Sequence, residues 1–231
     1  MQKNSYRGAF LAALIITFVS LGAAAGVLAA GTLSIEGYVD CAESNVPLNH
    51  GTVFVDGKEF PIEQGHFRLE LPPGQYSLTI TGAYREPKTF ALEAGQNTDK
   101  LYITLGSRFS PEEIDLLARI TRAEAEGESH QGQVAVAATV LNRVRSPRYP
   151  NTISEVVYQR LSGRYQYSPV ADGRINLAAT PATYEAAFEA LAGADPTYGA
   201  TGFFNPAKTR DRWVRSHPVI TVIGNHRFFK Y

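Results

Sequence analysis

The sequence predicts a multidomain chain. An N-terminal signal or membrane segment (1–30) leads into a small all-β sandwich (31–106), and a mostly α domain (110–231) follows and ends in a small β-hairpin. Three observations carry this: a long uncharged run behind Lys3 and Arg7, a period-two alternation from Thr32 to about Leu105, and a change to helical period at Ser110.

The run from Gly8 to Ala30 is rich in Leu, Ile, Val, Phe and Ala, and it reaches the roughly 20 residues that span a bilayer. Small residues at Ala23-Ala24-Ala25 and Val27-Leu28-Ala29 also offer cleavage sites, so a cleaved signal and a retained anchor both fit. Either one places the rest of the chain outside the cytoplasm, secreted or membrane-anchored, with Lys3 and Arg7 held inside. Charge is balanced, with 22 basic against 22 acidic residues, so no nucleic-acid or polyanionic partner is implied. The single cysteine, Cys41, excludes an intrachain disulfide and reads as a small core residue.

Between Thr32 and Leu105, stretches such as Ser34–Val39, Thr52–Val55, His66–Leu71 and Tyr76–Ile80 alternate apolar with polar residues, the pattern of half-buried strands. Asp56-Gly57 and Pro72-Pro73-Gly74 supply turn chemistry that reverses the chain between strands. The run Gly65–Leu78 resembles the carboxypeptidase regulatory-like, transthyretin-like β-sandwich modules, which serve as spacers or binding platforms. His50 and His66 lack metal-ligand spacing and read as strand or surface residues.

Ser110-Pro111-Glu112-Glu113 opens a helix, with Ser110 as cap and Glu113 placed to complete a capping box. The helix runs through Ile114, Leu117 and Ile120 to the end of a stretch crowded with acids, Glu124, Glu126 and Glu128, where Gly127 stops it. At about 100° per residue, Glu124 falls on the apolar face and Glu126 on the opposite one, beside Arg122. A carboxylate on the buried side has its pKa raised, as a general acid needs near neutral pH, whereas an earlier helix end leaves Glu124 as a solvated turn residue.

Gln133–Leu141 is apolar on all sides and predicts the core helix, ended by Asn142, Arg143 and Pro147. Thr152 and Glu155 cap a short helix. The polar, aromatic stretch 159–176, carrying Tyr165, Gln166, Tyr167 and Ser168 and then Asp172-Gly173-Arg174, reads as a loop, and its composition fits either a set of sugar-binding groups or a structural loop with exposed tyrosines. Thr180-Pro181 starts another helix that Gly193 closes. Gly202–Pro206 and Trp213-Val214 carry strand signals, and Val219–Ile223, Gly224-Asn225 and His226–Phe229 read as a hairpin. His217 and His226 read as surface or structural residues.

With those motifs in place, residues 114–231 resemble the SleB-type cell wall hydrolases, the family of spore cortex-lytic enzymes. Leu117-Ala118-Arg119, Glu124–Glu128, Gly132–Ala138, Leu141–Val144, Gln166-Tyr167-Ser168, Asp172-Gly173, Phe204-Asn205-Pro206 and Ile223–His226 follow the family's order. The resemblance implies a lysozyme-like fold and cleavage of peptidoglycan glycan strands between N-acetylmuramic acid and N-acetylglucosamine as a lytic transglycosylase. It makes Glu124 the catalytic glutamate, the same residue that helical phase selects.

The chain departs from the pattern at Glu126, where the family usually has arginine, and at Tyr167, where it commonly has phenylalanine. The supporting roles follow from that reading. Glu128 orients Glu124, Gln133 and Asn142 hydrogen-bond sugar or carboxylate, and Gln166, Tyr167 and Ser168 line the groove. No metal or cofactor is implied, since HExxH, CxxC and phosphate-binding glycine loops are missing from the sequence, and no oligomeric state is implied either. Two other readings compete: a hydrolytic muramidase or glucosaminidase in which Glu128 or another carboxylate activates water, and a non-catalytic envelope protein that binds peptidoglycan.

Overall fold

The structure is a computed structural model that describes residues 31–95 and 98–231. The expected signal or anchor at 1–30 lies outside the described residues, among which no helix is long and apolar enough to cross a membrane.

Seven strands come first: β1 (Leu33–Cys41), β2 (His50–Val55), β3 (Lys58–Glu63), β4 (His66–Leu71), β5 (Gly74–Gly82), β6 (Lys88–Ala94) and β7 (Lys100–Leu105). They form one hydrogen-bonded sheet in the order β6-β5-β2-β3-β4-β1-β7, with only β1 and β7 parallel. Asp56 and Gly57, both at positive φ, make the two-residue turn between β2 and β3 that the sequence predicts, and Gln64-Gly65 repeats the geometry between β3 and β4. The ladder nearly breaks there, because β3 and β4 share the single pair Glu63↔His66. Pro72-Pro73 does not close a hairpin. It carries the chain from β4 to β5, which are not hydrogen-bonded neighbours.

Alternate residues from both strand groups, among them Ile35, Val39, Phe67 and Leu69 with Val53, Ile62, Leu78 and Ile80, fill one core. Cys41 belongs to it, and burial pushes its thiol up to about 11.

The helical part is built around α2 (His130–Arg145), longer than the predicted core run and buried at every residue from Gly132 to Val144. It packs against α1 (Pro111–Ala125), α3 (Ile153–Val157) and α5 (Pro181–Leu191). Ser110 caps α1 by accepting from the Glu113 amide, but Glu113 does not complete the capping box. Its Oε1 instead accepts from the amides of Ile153 (3.0 Å) and Ser154 (3.5 Å), so a carboxylate from one helix satisfies the free N-terminal donors of α3.

The predicted loop at 159–176 is ordered as a two-residue ribbon, β8 (Arg160–Leu161) with β9 (Arg164–Tyr165), then α4 (Ser168–Asp172) and a 3-10 turn over Arg174–Asn176. The C-terminal segment is a three-stranded sheet in the order β10-β12-β11, because β10 (Gly202–Phe204) adds to the expected hairpin of β11 (Val219–Ile223) and β12 (His226–Phe229). Trp213 and Val214 are helical rather than extended, in α6 (Arg212–Arg215), because Asp211 caps both of their amides.

The two parts are joined through buried groups. Tyr84 and Phe109 enter the helical core, and Ala192, just past α5, enters the β core. Asn49 donates its amide to Ala192 O at 2.8 Å. Arg85, 5% exposed, binds both carboxylate oxygens of Glu43 (2.5 and 2.7 Å) and donates to Leu191 O (2.8 Å), placing a cation on the negative end of α5.

Candidate active site

Glu124 occupies the last turn of α1, half-buried, while Glu126 one step round is exposed and paired with Arg122 at 3.1 Å. That is the division that helical phase predicts. The end of α1 is held by arginines reaching carbonyls: Arg174 donates to Ala123 O (2.7 Å) and Arg122 to Ala178 O. Both cations sit at the helix end where the backbone is electron-rich.

Glu124 opens into a cleft of about 460 Å³. Gln166, Tyr167 and Ser168 line one side of it, and Phe203, Asn205, Trp213, His226 and Tyr231 line it from the C-terminal segment. Burial pushes the Glu124 carboxyl up to about 7, with Asp172 adding to the rise, against the opposing pull of Arg174, Lys208 and Arg143. Near neutral pH the group is therefore divided between acid and carboxylate, as proton transfer in both directions requires. Asp172 itself is committed to Arg174 at 2.9 Å and held below its usual range by that pairing.

The other expected site residues do not line this cleft. Glu128 accepts from the Asn225 amide (3.0 Å) and side chain (2.9 Å), clasping the β11–β12 turn. Gly224 there has φ +55°, and a Cβ would lie 2.2 Å from Glu128 Oε2. Gln133 donates to Glu126 O and Glu128 O at 3.4 and 3.5 Å, bracing the α1–α2 connection rather than a sugar. Asn142 is turned to the other side, donating to Asp195 (2.9 Å) and Ala200 O (3.0 Å). Both are buried polar residues on a helix covered all round, and that burial obliges them to bond inward. Tyr165 also lies off the cleft, under Arg160.

The clasp positions His226, which follows the turn directly. Glu128→Ala is expected to cost about 1.5–3 kcal/mol of stability, the loss of hydrogen bonds to a charged group. Its effect on turnover should be far smaller than that of a change at Glu124, and urea unfolding beside a wall-clearing assay reads both.

Sequence reasoning misses much of the cleft. His226, assigned above to a surface or structural role, is 6% exposed, faces the cleft and has no partner on Nδ1. Arg143, read as the end of a helix, is also buried and lines the cleft, as do Lys208 and Trp213. Trp213 carries one local signal, an exposed aromatic among polar residues; it packs edge-on against His217 and Tyr231 at 4.4 and 5.3 Å.

The cleft thus brings together a half-buried carboxylate whose pKa lies near neutral and several aromatic side chains. Residues 127–229 match the family model described as Cell Wall Hydrolase, and Glu124 lies just before that match. The spore cortex-lytic enzyme of Halalkalibacterium halodurans is 41% identical over 120 residues, covering 52% of this chain and 35% of that protein. The spore cortex-lytic enzyme of Bacillus subtilis is 37% identical over 130 residues, covering 56% and 41%. The solved catalytic domain of the germination-specific lytic transglycosylase SleB from Bacillus anthracis is 38% identical, covering 53% of this chain and 98% of that one, with a TM-score of 0.49. The C-terminal part of the chain thus carries a cell wall hydrolase domain of the SleB type. The chain spans less than half the length of the two curated relatives.

Proposed function

We propose that the protein cleaves the glycan strands of peptidoglycan between N-acetylmuramic acid and N-acetylglucosamine as a lytic transglycosylase, with Glu124 as the catalytic acid and base. One observation carries this reading: among the described residues lining the cleft, Glu124 is the only side-chain carboxylate. Hydrolysis of a glycoside by acid and base, or by acid and nucleophile, ordinarily uses two carboxylates about 5–9.5 Å apart across the scissile bond. The lytic route needs one. Protonated Glu124 donates its proton to the glycosidic oxygen as the bond to the muramyl anomeric carbon breaks. The resulting carboxylate then takes the proton from the muramyl 6-hydroxyl as that oxygen closes on the same carbon, giving a 1,6-anhydro end and regenerating the acid.

Glu128, the carboxylate of the hydrolytic alternative, is engaged by Asn225, which argues against a role in activating water. The name shared by the curated relatives, spore cortex-lytic enzyme, supports a peptidoglycan substrate. That substrate and the apolar run at 8–30 together support export to the envelope.

We read residues 31–106 as a sandwich-type spacer, on the grounds of its two strand groups around one core, and residues 110–231 as the catalytic, lysozyme-like domain. The working form of Glu124 sets the pH dependence. With a pKa of about 7, the acid is present below that value, so release of soluble fragments from purified peptidoglycan should fall as pH rises through about 7. Release that climbs steadily to pH 9 sinks the assignment of Glu124 as the acid.

A further inference from the structure

Buried polar atoms without a partner are rare in folded proteins, and each one asks for an explanation. Among the described residues seven buried side-chain atoms have none, and three of them, Arg143 Nη1, Tyr167 Oη and His226 Nδ1, belong to residues lining the Glu124 cleft. Arg143 is the most costly. The residue is 7% exposed, and its guanidinium lies over the rings of Tyr149 (5.2 Å) and Tyr167 (5.0 Å). Its Nε donates to Thr201 O at 2.6 Å, and it takes part in none of the ion pairs among the described residues.

Ring faces stabilise a cation only modestly, and a buried charge without a counter-charge is strongly unfavourable. Tyr167, 3% exposed, stays a phenol because burial pushes its pKa up, so its hydroxyl remains a donor. His226 is kept neutral by burial, with Lys208 acting in the same direction. Two donors, one of them charged, therefore sit in the wall of a cleft where Glu124 is the only side-chain carboxylate among the described lining residues.

We propose that Arg143, Tyr167 and His226 form a recess that takes the acyl oxygen of the 3-O-lactyl substituent on a muramyl residue, and so select muramyl over glucosaminyl sugars at this position. The recess rests on the glycan-cleaving reading above. An acetamido group is common to both sugars and cannot discriminate between them. The lactyl group occurs on one of them only, and its oxygen is an anion when free and a strong acceptor when amide-linked to peptide.

The test is an NMR titration of wild type, Tyr167→Phe and Arg143→Lys with two probes: the N-acetylglucosaminyl–N-acetylmuramic acid disaccharide bearing its free lactyl carboxylate, and chitobiose. Wild type is expected to bind the muramyl disaccharide about tenfold more tightly. Tyr167→Phe should lose about that factor for the muramyl probe and nothing for chitobiose. Its melting temperature should not fall, because the hydroxyl has no protein partner to lose. Arg143→Lys, which keeps the charge but loses the planar fork, should show the same selective loss. A Tyr167→Phe protein that retains the full preference, or a wild type that binds both probes alike, overturns the recess. Peptidoglycan left intact by wild type sinks the glycan-cleaving reading. Peptidoglycan digested by wild type, with the muramyl preference unchanged in Tyr167→Phe, sinks the recess alone.

Discussion

Replacing Glu124 with glutamine is expected to lower cleavage of peptidoglycan by roughly 10²–10⁴-fold while making the protein more stable above pH 7. The two effects share one cause. The folded protein holds the Glu124 proton more tightly than the unfolded chain does, since burial raises the pKa from its usual 4.5 to about 7. A group raised on folding contributes its stability at low pH and loses it as pH climbs through the folded value, so wild type weakens between about pH 4.5 and 7. Glutamine has no charge to bury and skips that loss, gaining about 1 kcal/mol at pH 8, the usual sign of a site strained for function. Cleavage is expected to fall because an amide cannot donate to the glycosidic oxygen or take the proton back. Thermal unfolding at pH 5 and pH 8 reads the crossover: the two proteins should be alike at the lower pH and separate at the higher. Equal melting at both values would contradict a buried acid at this position.

The second large effect lies far from the cleft. Arg85 has a fully buried side chain whose charge is met by Glu43, with a further bond to the last carbonyl of α5. Glu43→Ala is expected to destabilise the protein by about 3–5 kcal/mol, because it strands a buried guanidinium rather than because the pair itself contributes that much. Pairing the same change with Arg85→Met should recover most of the loss, since two apolar groups of similar volume leave no charge to solvate. Urea midpoints of the single and double variants distinguish the cases. A single variant within 1 kcal/mol of wild type would mean that water reaches Arg85 and that the junction between the strands and helices is looser than its hydrogen bonds imply.

What the sequence makes legible here follows from how local each signal is. The start of α1, the opposite faces of Glu124 and Glu126, and the turns at Asp56-Gly57 and Gly224-Asn225 are decided within one turn of helix or one hairpin, and the structure has them where the pattern puts them. The wall formed by Gln166, Tyr167 and Ser168 is legible through the family resemblance rather than the residues, because composition alone leaves it a polar loop.

The rest of the cleft has no local signature. Arg143 sits on a helix buried all round, where period says only that the residue is inside. Whether it terminates the helix, pairs with a carboxylate or waits in a cleft depends on Thr201, Tyr149 and Tyr167, which lie elsewhere in the chain. Glu128 fails as a candidate catalytic partner for the same reason. Its distance from Glu124 along the chain suggests cooperation, but a hairpin nearly a hundred residues later supplies both of its hydrogen bonds. Trp213 reads as a strand because β-branched and aromatic residues favour strands, and a single aspartate cap overrides that preference.

The most direct test of a one-carboxylate cleft is the chemistry of the new chain end. Purified peptidoglycan is digested in ¹⁸O-labelled water and the muropeptides are weighed by mass spectrometry. Ring closure by the 6-hydroxyl admits no solvent oxygen, so the expected result is 1,6-anhydromuramyl ends without label. Reducing ends carrying ¹⁸O, with no anhydro product, would contradict it and require a second group that activates water.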